Sequence, residues 1–85
     1  MRHIRGDYDR IQDPENKIPE YEPVFLIRGQ DVCGPETLRR WADLNEQKGG
    51  DPLLSLAVKK QALTMEMWQL SVKAKVADCD SKHIK

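Results

Sequence analysis

Hydrophobic and polar positions follow three rhythms along this chain. Over residues 1–23 the apolar residues stand singly: Ile4, Tyr8, Ile11, Ile18 and Tyr21 lie among charged neighbours, punctuated by Pro14, Pro19 and Pro23. Each proline withdraws a backbone donor and pushes the preceding residue out of the helical region. The pattern predicts an extended arm, with one short helical turn around Tyr8 to Ile11 and enough apolar footholds to lie along a surface. At Val24-Phe25-Leu26-Ile27 the rhythm becomes continuous, opening after Pro23 and closing at Arg28-Gly29. Four consecutive apolar residues predict a short strand covered on both faces. Three partners are open to it: the MRHIR segment at the amino end, the alternating VKAKV at residues 72–76, or the same strand of a second copy.

From Pro35 onward the apolar spacing is helical. Gly34 as a permissive cap, Pro35 at the first helical position and Glu36 in the first turn form a start signal. Leu38, Trp41, Ala42 and Asn45 share one stripe, with Leu44 beside it, and Lys48-Gly49 is a stop signal. Asp51-Pro52 starts a second helix at once, so Gly49-Gly50 is predicted to be the tight turn of an αα-hairpin with helices at about 35–48 and 52–72. Along the second helix, Leu54, Val58, Met65, Trp68 and Val72 fall on one face, and Leu56, Leu63, Met67, Leu70 and Ala74 on another. That is more apolar circumference than one partner helix covers. The expected fold is therefore mainly α with a minor β element. It comprises an extended arm over 1–23, a strand-plus-hairpin core over 24–72, in which Trp41 and Trp68 are buried, and a loose carboxyl-terminal tail over 73–85. The uncovered apolar surface predicts a homo-oligomer, most simply a two-fold dimer, with the Leu54, Met65 and Trp68 face as interface.

Composition narrows the function classes. The 85 residues carry 14 Lys and Arg against 14 Asp and Glu, a balance that argues against nucleic acid as partner. The charge is uneven: residues 1–31 hold five cations and seven anions, and residues 59–85 hold six cations and three anions. Two cysteines, Cys33 and Cys79, exclude a disulfide-dense scaffold and an all-cysteine zinc site. No apolar run approaches the roughly 18–20 residues of a membrane span, and the amino end has no apolar leader segment. The expectation is a small soluble intracellular domain.

Candidate chemistry is sparse. No glycine-rich phosphate loop, nucleophile elbow or HExxH motif is present. His3 and His83 sit near the two ends, where the rigid support that a ligand needs is scarce. Cys33 precedes a helix amino end, a place that lowers a thiol pKa, although a small buried hydrophobe explains it as well. Asp7, Asp9 and Asp13 lack the glycine and terminal glutamate of a calcium loop and read as a solvated turn. The remaining cluster is Arg28-Gly29-Gln30-Asp31 leading into Gly34-Pro35-Glu36. A helix amino end flanked by Arg28, Arg39 and Arg40, with Trp41, Tyr21 and Tyr8 to stack, is the form of an anion site. Ion pairs from Arg28 to Asp31 and Arg39 to Asp43 would account for the same residues without a ligand. The chain is expected to be non-enzymatic, with no metal and no cofactor.

The run EPVFLIRGQDVCGPETLRRWADL resembles small proteins encoded by phages and prophages of proteobacteria. Those share a core of Glu-Pro, a short apolar strand, Arg-x-x-Asp, then Leu/Val-Arg-x-Trp-Ala. The matching residues here are Glu22, Pro23, Phe25, Arg28, Asp31, Leu38, Arg39, Trp41 and Ala42. The similarity extends over residues 7–70 through DYDRIQDP and MEMW, and brings no activity with it. It implies a phage accessory protein in the bacterial host cytoplasm, acting stoichiometrically. Two functions fit: an oligomeric binder that sequesters an anionic small ligand, such as a nucleotide immune signal in counter-defence, or an interaction module that inhibits or adapts a host or virion protein.

Overall fold

The computed structural model describes residues 1–8 and 12–85. The expected turn around Tyr8 to Ile11 therefore lies, beyond Tyr8, outside the described residues. The fold is mainly α with a minor β element. Its chain separates into two units, Met1–Leu26 with Asp78–Lys85, and Ile27–Ala77.

In the first unit, β1 (Arg2–His3) pairs in parallel with β2 (Pro23–Val24), in the register Arg2 to Pro23 and His3 to Val24. Of the three partners open to the strand, the amino-terminal segment is the one used. The strand itself is shorter than expected. It stops at Val24, and Phe25 is 71% exposed instead of covered on two faces. The reason is local: β1 contributes only two residues to the ladder, so nothing continues it beside Phe25 and Leu26. A 3-10 turn at Gly6–Tyr8 follows β1. At the other end of the chain, where a loose tail was expected, Asp80 caps a second 3-10 turn at Ser81–His83 by accepting from the Lys82 amide. Ile84 bridges Arg5, and the Lys85 amide donates to the Ile4 carbonyl at 2.9 Å.

The second unit is the helical hairpin. Helix α1 spans Gly34–Gln47, with Cys33 at its cap position and Pro35 in its first turn. Helix α2 spans Pro52–Ser71, and the Asp51 carboxylate accepts from the Leu53 amide at 2.9 Å, as the Asp-Pro pair predicts. Between them Gly49 takes φ 83°, a left-handed conformation open to glycine at no steric cost. Gly50 serves a different purpose: a Cβ there would lie 2.0 Å from Asn45 Oδ1, so the missing side chain leaves room for Asn45 against the turn.

Where the helices meet, the residues are small. Ala42, Ser55 and Ala62 are fully buried, and Met65 nearly so at 8% exposure. Ser55 Oγ donates to the Ala42 carbonyl at 3.0 Å and accepts from Asn45 Nδ2 at 2.9 Å. Two ion pairs, Asp43–Lys59 and Arg39–Glu66, stitch one side of the hairpin. Trp41 and Trp68 do not join this core. They are 45% and 50% exposed, which corrects the expectation that they are buried. The close Ala-Ser-Ala contact brings the backbones together, and that leaves no interhelical volume for an indole. Trp68 instead lays its ring beside Gly29, where a Cβ would stand 3.7 Å away.

Candidate functional site

The loop between Ile27 and α1 is fixed from two directions. Gln69 Nε2 donates to the Gly29 and Asp31 carbonyls at 3.0 and 2.8 Å. The Lys75 backbone exchanges bonds with Gln30 and Val32, so part of VKAKV pairs with this loop and with Asp31, not with residues 24–27. Gly34 then sits tightly under α2, with a Cβ position only 3.2 Å from Met65 Sδ and 3.3 Å from Ile27 Cγ2.

This arrangement determines what the amino end of α1 offers an anion. Asp31 Oδ1 accepts from the Cys33 amide at 2.9 Å, and the Asp31 carbonyl accepts from Gly34 at 2.9 Å. A carboxylate of the chain itself already occupies the positive end of the helix dipole. Of the cations singled out there, Arg39 is paired with Glu66 across the hairpin. Arg28 and Arg40 are exposed and make no ion pair among the described residues. Tyr21 belongs to the other unit, where the Arg2 guanidinium lies over its ring at 5.8 Å. Among the expected interface residues, Met65 points into the hairpin core, whereas Leu54 and Trp68 are half exposed. Cys33 is an exposed free thiol.

What the residue patterning did not single out is a concavity. Ile27, Leu38, Trp41, Ala57 and Val58, together with Thr37 and Gln61, line a cleft of about 380 Å³. Its walls come from both helices and the incoming loop, so no single periodic stripe announces it. The Trp41 ring, held at one wall and half open to solvent, is the kind of rigid aromatic surface that dominates docking energetics. The lining offers no titratable group, which suits recognition of an apolar side chain and not acid–base chemistry.

Among the described residues no three His, Cys, Asp or Glu side chains gather where they could hold a metal ion. No helix among them is long and apolar enough to cross a membrane. Comparison with family models, with curated proteins and with solved structures found no match.

Proposed function

We propose that this chain is a non-enzymatic interaction module that docks an apolar segment of another protein into the cleft beside Trp41. The observation that carries the reading is the cleft itself: about 380 Å³, apolar-walled, and built on a hairpin whose polar bonds are already closed. A cleft of that size takes a large side chain such as Leu, Phe or Trp, presented at helical or extended spacing. If the resemblance of residues 7–70 to phage-encoded proteins holds, that partner is a host or virion protein, bound stoichiometrically in the host cytoplasm.

The second function, sequestration of an anionic small ligand, keeps one supporting observation, the exposed Arg28 and Arg40 guanidinium groups. It has less behind it, because Asp31 and Glu66 already hold the nearby amide and Arg39.

Ala57→Arg tests the two together. Ala57 is exposed on the cleft wall, so the substitution blocks the cleft without opening the core. The expected result is a protein captured from host lysate by the wild-type chain and lost with the folded variant. Thermal-shift screening against linear and cyclic nucleotides is expected to leave the midpoint unmoved; a rise abolished by Arg28→Ala would replace this reading with the second.

A further inference from the structure

Helix α2 carries a second apolar surface that its partner helix leaves bare. Leu53, Leu56, Lys60, Leu63, Met67 and Leu70 follow one another at spacings alternating between three and four. That is the a/d repeat of a coiled-coil seam over the whole helix. The five apolar members are each at least half exposed, and Leu70 reaches 90%. Ser55, Ala62 and Met65, which face α1, lie elsewhere on the helix circumference, so this seam belongs neither to the hairpin core nor to the cleft.

We infer that the occupant of this seam is the same seam of a second copy, running antiparallel about a two-fold axis. Charge decides both the occupant and the orientation. In a parallel pair Lys60 would face Lys60, two like charges in an apolar layer. In an antiparallel pair it faces Leu63, along which its alkyl stem lies while the ammonium reaches water. The same orientation brings Lys59 of one copy toward Glu66 of the other along the flank of the seam. Each already has an intrachain partner, in Asp43 and Arg39 respectively, so the dimer joins two ion pairs into one network. A partner of different sequence would have to reproduce this complementarity; a second copy supplies it by symmetry.

Orientation and occupancy are tested separately. In a background with Cys33→Ser and Cys79→Ser, chains carrying Leu53→Cys are mixed with chains carrying Leu70→Cys and oxidised. The expected product is the mixed 53-to-70 disulfide; same-site disulfides at 53 and at 70 would overturn the antiparallel arrangement, and no cross-link at all would overturn the pairing. Leu63→Lys replaces an exposed side chain, so the hairpin is expected to keep its helical circular dichroism. Its thermal midpoint becomes independent of protein concentration, whereas the wild-type midpoint rises with concentration. A concentration-independent wild-type midpoint would overturn the proposal.

Discussion

Replacing Gly50 by alanine tests the turn on which the hairpin depends. A Cβ at position 50 would fall 2.0 Å from Asn45 Oδ1 and 2.7 Å from Asn45 Nδ2, closer than real contacts allow. The Asn45 side chain must therefore rotate away. In doing so it loses its bonds to Ser55 Oγ at 2.9 Å and to the Asp51 carbonyl at 3.3 Å. At about 0.5–1.5 kcal/mol each, these losses amount to roughly 1–3 kcal/mol. A gain of about 0.4–1 kcal/mol from the stiffer unfolded chain offsets part of this, because Gly50, unlike Gly49, does not occupy a positive φ. The net cost expected for Gly50→Ala is about 1–2 kcal/mol, read from urea denaturation at fixed protein concentration. In an Asn45→Ala background the clash partner is gone, so Gly50→Ala is expected to be neutral or stabilising. The two substitutions are then coupled by about 1–3 kcal/mol. Strictly additive costs would refute the close approach of Asn45 to the turn.

Three further outcomes follow from individual contacts. Asp51→Ala removes the cap of α2 and is expected to cost about 0.5–2 kcal/mol, measured by the same denaturation; an unchanged midpoint would discount the cap. His3 is 5% exposed with neither ring nitrogen hydrogen-bonded among the described residues, so His3→Leu is expected to raise the thermal midpoint by removing an uncompensated polar group. A fall would show that the imidazole has a partner. Asp7 is held below the ordinary carboxylate range, first by its hydrogen bond from Arg5 and then by that residue's charge. A depressed folded-state pKa stabilises above the unfolded value, and that contribution fades as pH falls through the folded one. Carboxyl NMR titration should therefore place the Asp7 midpoint low in the wild type and return it to the ordinary range in Arg5→Gln.

The hairpin was legible because its signals are local. Gly49, Asp51 and Pro52 act through their own backbone preferences, and each stands where those preferences place it; at the start of α1 the cap is Cys33 and not the expected Gly34, so Pro35 falls second in the helix. The exposure of the tryptophans is not legible in an apolar stripe, because it depends on helix separation, which Ala42, Ser55 and Ala62 set. The strand is shorter than its pattern for a related reason: four apolar residues look like a ladder, but the ladder is only as long as its two-residue partner at Arg2–His3. At the candidate anion site the residues are legible in the sequence and their pairing is not. That Asp31 turns back on the Cys33 amide, and that Arg39 reaches Glu66 on the other helix, are facts of tertiary geometry. The cleft beside Trp41 escaped the sequence altogether, since it is shared among three segments.

The bare apolar seam of α2 is inferred to be a docking surface and not a free one. Sedimentation equilibrium of the wild-type chain across the micromolar range tests this most directly. A seam-to-seam dimer gives a mass of twice 9.8 kDa that falls toward the single-chain value on dilution. A mass of 9.8 kDa at every concentration would contradict it.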